Sequence, residues 1–146
     1  MSRFHGLYKL IEKHGLIEEA RILTSMKKSL EHVRTNYPAL KCQFLCYEVS
    51  EANYEWCKTW GINPSVQTGG LSKYMARKCH DAGMEVACWT VNSLASYQQH
   101  GELGCTTMTC DYLMASEMPE LEEVDWEALA PTQPVDTLYI TELFNH

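Results

Sequence analysis

The chain has 146 residues, 45% of them hydrophobic and 21% charged, the make-up of one globular domain with its own core rather than a disordered or fibrous chain. No run approaches the roughly 18 apolar residues of a membrane span, and residues 1–10 lack the apolar block of a signal peptide, so for this chain alone a cytoplasmic location is the default expectation. All 12 Lys and Arg lie at or before Lys78 beside seven acids, whereas 12 acids and no Lys or Arg follow, so a half of about +5 precedes one of −12.

In chain order, Phe4, Leu7, Tyr8 and Ile11 recur at three- and four-residue spacing, a helical stripe, with Gly15 placed to end the helix. Residues 20–25 are short and apolar with a polar end, a buried strand; Leu30, Val33 and Tyr37 carry the next helix, which Pro38 closes. Lys27, Lys28 and Arg34 fit that amphipathic helix, not a basic stripe beside exposed aromatics, so no nucleic-acid partner is expected.

The pattern repeats. Residues 42–47 read as a strand, Ser50 caps a helix to about Lys58, and residues 61–64 read as a very short strand or strand end. Ser72 caps a helix through His80 with Gly83 past its end, and residues 85–91 form a strand apolar on both faces. A helix over 94–100, closed by Gly101, leads to a last strand at 105–110. Strands alternating with helices mean βα units and a parallel sheet, buried on both faces. Five such units make either a small doubly wound sheet or five-eighths of a (β/α)₈ barrel, and the pattern alone does not choose. After Asp111 the character changes: residues 117–127 hold six acids, Pro131 and Pro134 follow, and 135–144 could form one further extended or helical segment.

One segment narrows the choice. Trp89-Thr90-Val91-Asn92 ends a strand, about ten residues of helix follow, and Gly104 opens a strand ending in Thr109-Cys110-Asp111. This resembles the end of the glycerophosphodiester phosphodiesterase family, whose last two barrel strands read approximately V-x-V-W-T-V-N and G-V-D-x-I-x-T-D-x-P. The helix through His80-Asp81-Ala82-Gly83 is similar to that family's helix ending in A-H-x-x-G, residues 22–26 to its strand ending in Ser-Phe, and Tyr37-Pro38 to the end of its next helix. The resemblance runs from about Gly15 to Leu113, with Met26, Thr106 and Leu113 standing where the family has Phe, Asp and Pro. It implies a partial (β/α)₈ TIM barrel of about five parallel βα units over 1–115 and descent from a metal-dependent hydrolase, while the acidic stretch over 116–146 reads, from its change of character, as an appendage at the barrel edge.

The family's opening strands carry His-Arg-Gly, Glu-x-Asp and a second His, and a later strand adds a Glu and a Lys. None has a counterpart here, because by the resemblance the chain starts in the helix after the third barrel strand. Phosphodiester hydrolysis needs an activated nucleophile, a proton donor for the leaving oxygen and positive charge on the equatorial oxygens. The isolated chain is therefore expected to be inactive, with no catalytic or metal-ligand residue of its own. The family's divalent metal, Mg or Ca, is expected only with the missing half, and a small glycerophosphodiester is the ligand only of a completed barrel.

Candidate substrate-binding residues are those read at strand ends: Trp89, Asn92, Ser25 and Asn63. Trp89 is expected to line the pocket; Asn92 could instead cap the next helix, and Asp111 could bond its own turn. Seven cysteines without paired Cys-x₂-Cys spacing read as reduced, buried thiols, not as a zinc site or disulfide framework. His80 and His100 sit near helix C-termini, where a structural role suffices. The competing reading is a non-catalytic module that self-associates, or pairs with a missing half-barrel, through an open sheet edge.

Overall fold

The structure, a computed structural model, describes residues 3–129. Five strands, β1 (Arg21–Thr24), β2 (Lys41–Cys46), β3 (Asn63–Gln67), β4 (Ala87–Trp89) and β5 (Thr107–Thr109), alternate with five helices, α1 (Arg3–Lys13), α2 (Lys27–Asn36), α3 (Glu51–Trp60), α4 (Lys73–Asp81) and α5 (Leu94–Glu102). The sheet is parallel throughout and its order is sequential, β1-β2-β3-β4-β5. A doubly wound sheet reverses its strand order partway. This one does not, so the architecture is a partial (β/α)₈ barrel.

Local chemistry explains the helix starts. Ser50, Ser72 and Ser93 each sit in extended backbone and accept the amide three residues on, from Asn53, Met75 and Ser96, satisfying one orphan donor per helix. Helix α5 runs through Gly101 to Glu102, past the expected stop at Gly101, and Gly104 takes the left-handed conformation instead, φ 81. Strand β3 also departs from expectation. Pro64 removes one ladder donor but is compatible with extended backbone, so the strand continues through Ser65, Val66 and Gln67.

Burial along the strands separates two faces. Cys42, Phe44 and Cys46 of β2 alternate with less buried Lys41, Gln43 and Leu45. The buried set meets the helices: Phe44 packs on Trp56 of α3 at 5.0 Å between ring centroids. Leu30, Leu40, Ile62, Val66 and Val91 complete a core at 0–1% exposure, each burial contributing about 1.5–3 kcal/mol. The other face is the inner wall of the barrel, and it is open: Leu23 of β1 is 49% exposed and Tyr47, just past β2, is 76% exposed. Helix α1 packs against the end of α2, with the Phe4 and Tyr8 ring centroids 5.1 and 4.7 Å from that of Tyr37.

After β5 the chain passes a short 3₁₀ turn (Ala115–Glu117) and folds back over α4 and α5. There Trp126 stacks on His80 at 3.6 Å, its carbonyl accepts from Arg77, and Tyr97 donates to the Pro119 carbonyl. A Cβ on Gly104 would overlap the Trp126 ring, so only glycine admits this contact. The described part of the acidic stretch thus lies on the helical layer. The segment 135–144, expected to be extended or helical, lies outside the described residues.

Candidate functional site

In a barrel the C-terminal strand ends and the loops after them form the reactive mouth. Four of those loops are tied together here by main-chain bonds. The Val49 amide donates to the Gly70 carbonyl at 2.9 Å, Thr68 to Trp89 at 2.7 Å and Val91 to Thr109 at 2.8 Å. Gly70 is the point of closest approach, since a Cβ there would overlap the Tyr47 carbonyl and lie 2.9 Å from Val66 Cγ2. Beside it is an open cleft of about 370 Å³ lined by Tyr47, Glu48 and residues 67–70.

Trp89 ends β4 next to this cleft. It sits opposite Gln67 in the ladder, and its ring meets Tyr47 edge-on at 6.0 Å. Its indole Nε1 donates to the Ser65 carbonyl at 3.0 Å, which fixes the ring against the inner wall. The peptide after it, Trp89-Thr90, is cis. Asn92 does not cap α5, because Ser93 does so. Instead its amide Nδ2 donates to Asp111 Oδ2 at 2.9 Å and its Oδ1 accepts the Asp111 amide at 3.0 Å, clasping the β4 and β5 ends.

The remaining candidates are elsewhere. Ser25 follows β1, exposed, three strands and roughly 14 Å of sheet from β4. Asn63 opens β3 instead of ending it, so it lies at the opposite end of the sheet from the mouth. There its Oδ1 accepts the Glu85 amide at 3.2 Å. The misreading came from ending β3 at Pro64. Gln67 and the 68–70 loop were missed for the same reason, although the paired glycines Gly69 and Gly70 mark the true end of the strand, whereas Tyr47 was missed although it ends the strand read over 42–47.

His100 props the cleft from behind. It is 3% exposed; its Nδ1 donates to the Ser96 carbonyl at 2.7 Å while Nε2 accepts the Gly69 amide at 3.4 Å. Lys27, the cation nearest the β1 mouth in sequence, turns its ammonium over the Phe44 and Trp56 rings and donates to Asn53. Among the described residues no three His, Cys, Asp or Glu are grouped to hold a metal ion, and Asp111, the carboxylate at the β5 end, is engaged by Asn92. The divalent metal implied by the resemblance therefore does not fit these residues. Among the described residues the mouth presents the Tyr47 and Trp89 rings, the 67–70 loop and the carboxylates of Glu48 and Asp111.

The family described as Glycerophosphoryl diester phosphodiesterase family matches residues 8–115. No curated protein matches the chain. Among solved structures, a candidate glycerophosphodiester phosphodiesterase from Galdieria sulphuraria is 19% identical with a TM-score of 0.66 over 73% of this chain and 45% of its own. A candidate glycerophosphoryl diester phosphodiesterase from Silicibacter pomeroyi is 15% identical, TM-score 0.66, over 74% of this chain and 40% of its own. A phosphodiesterase from Oleispira antarctica, in complex with its product sn-glycerol-3-phosphate, is 13% identical, TM-score 0.58, over 63% of this chain and 38% of its own. The chain thus spans less than half the length of these proteins. Among the described residues no helix is long and apolar enough to cross a membrane.

Proposed function

The chain belongs to the glycerophosphoryl diester phosphodiesterase family, and from that membership we propose that it supplies one wall of a barrel that cleaves glycerophosphodiesters to glycerol 3-phosphate and an alcohol, and that it is catalytically silent alone. The observation that carries this reading is Trp89, held at the mouth by Ser65 and Tyr47 beside an open cleft, on a face without grouped acid, base or metal ligands among the described residues. Trp89 and Tyr47 present flat apolar surface to the carbon skeleton of a glycerol phosphodiester, Asn92 holds the neighbouring loop through Asp111, and Ser25 stands on the β1 rim. Asn63 lies at the far end of β3 from this mouth. A divalent metal, Mg or Ca, would enter with residues that complete the barrel.

The test is release of glycerol 3-phosphate from glycerophosphocholine by the purified, folded chain with magnesium or calcium present. No release is expected, together with weak quenching of indole fluorescence by glycerol 3-phosphate that is lost in Trp89→Phe. Turnover at an enzyme-like rate overturns the reading. The open edge of β1, next to half-exposed Leu23, favours a second reading: a non-catalytic module that pairs through this edge with another copy or with a separate half-barrel. Salt-insensitive self-association without turnover is its signature.

A further inference from the structure

A second cavity lies on the helical side of the sheet, away from Trp89. It has a volume of about 930 Å³ between α4, α5 and the returning chain, lined by Leu103, Leu121 and Leu129 together with Glu120, Glu122 and Glu123. The three glutamates are exposed, and none forms an ion pair among the described residues. Lys73 also lines the groove, so the excess of charge is strongly acidic. An apolar floor with an uncompensated acidic rim selects a basic amphipathic partner.

Such a partner is present on the chain itself. Helix α1 half-buries Phe4, Tyr8 and Ile11, the first two against Tyr37, yet its adjoining flank carries Leu7 and Leu10, 47% and 56% exposed. At 100° per residue Arg3 and Lys13 share that flank, giving an apolar centre with a cation at each end. Neither cation forms an ion pair among the described residues. Within one copy the two surfaces cannot meet, because α1 sits at the β1 end of the sheet and the groove beyond β4 and β5. Residues 130–146 are a poor occupant on charge grounds, since they carry Asp136 and Glu142 and no Lys or Arg.

We propose that the outer groove between α4 and α5 receives helix α1 of a second copy, Leu7 and Leu10 against the leucine floor and Arg3 and Lys13 against the glutamate rim. The contact joins two different surfaces, so it is head-to-tail and extends copy by copy unless the rotation closes a ring. It uses neither sheet edge nor the mouth, and it does not depend on the catalytic reading.

Sedimentation across a range of concentrations tests it. Shortening the Debye length from about 10 Å at 0.1 M salt to about 3 Å at 1 M should weaken the association by about tenfold or more. The double variants Arg3→Glu/Lys13→Glu and Glu122→Lys/Glu123→Lys should each be monomeric with unchanged circular dichroism. Mixed in equal amounts they should associate again, because the acidic groove of the first meets the basic helix of the second. Leu10→Ser should weaken assembly without altering its salt dependence. A monomer at every concentration, association unaffected by the charge variants, or a mixture that stays monomeric overturns the proposal.

Discussion

Gly70→Ala probes the loop packing that shapes the mouth. A methyl group here would overlap the Tyr47 carbonyl and press on Val66, which is fully buried. Backbone at the end of β2 has no rotamer to move, so the 67–70 loop must lift away. Overpacking of this kind costs about 1–3 kcal/mol, and lifting the loop strains or breaks the Val49–Gly70 hydrogen bond, about 0.5–1.5 kcal/mol more. The sum is about 1.5–4.5 kcal/mol. With a urea slope near 2 kcal/mol/M, within the range usual for small domains, the unfolding midpoint should fall by roughly 0.8–2.2 M. Gly6→Ala supplies the opposite sign. Gly6 lies inside α1 with nothing within 4 Å of an added Cβ, so alanine should stabilise the helix by about 0.5–1 kcal/mol. Urea unfolding of both variants, followed by circular dichroism, gives the comparison. A Gly70→Ala midpoint within about 0.3 M of the parent, well short of the expected fall, or shifts of the same sign in both variants, would refute the packing argument.

Asn92→Ala should cost about 1–2 kcal/mol through loss of its two bonds to Asp111, with helix content unchanged because Ser93 is the cap. Ser93→Ala should instead cost about 1 kcal/mol and lower the helical signal; loss of helix in Asn92→Ala would show the assignment to be wrong. The buried thiols predict alkaline sensitivity. Burial pushes Cys57 and Cys79 up to about 12 and Cys46 up to about 11, so the folded state holds these protons more tightly than the unfolded chain. Stability is then full below about pH 8.5, the ordinary thiol value, and falls as pH rises above it, by about 1 kcal/mol or more per cysteine at pH 10. Denaturant midpoints at pH 8 and pH 10 test this; replacing Cys57 and Cys79 by alanine should flatten the dependence, and a slope unchanged in that variant would exclude the thiols as its source.

The fold was readable because its signals are local and redundant. Ser50 and Ser72 cap where a serine before an apolar-periodic run should cap, and Gly15, Gly61 and Gly83 stand in left-handed conformations just past helix ends. Strand sequence did not choose between a doubly wound sheet and a barrel, because both bury parallel strands on two faces. The Trp-Thr-Val-Asn resemblance favoured the barrel, and the sequential ladder shows it. The capping alternative for Asn92 fails for a different reason. Asparagine and serine are nearly equal as helix caps, and the partner that decided between Asn92 and Ser93 was Asp111, 19 residues away. A cap preference is local, whereas a clasp between strand ends can be seen only in three dimensions.

Asn63 shows how a small boundary error becomes a large functional one. Strand β3 is five residues long, so at about 3.3 Å per residue its two ends are roughly 13 Å apart. A strand ending at Pro64 would put Asn63 at the mouth of the barrel instead of its floor and leave Gln67 outside the strand. Proline lacks one donor but tolerates extended backbone, whereas glycine at a close approach is required by packing, since any Cβ at position 70 would collide with main chain. Of the two punctuation marks around this strand, the glycine pair was therefore the physically stronger one. Taking it as the terminus would have placed Gln67 opposite Trp89 at the mouth, which is where the ladder puts it.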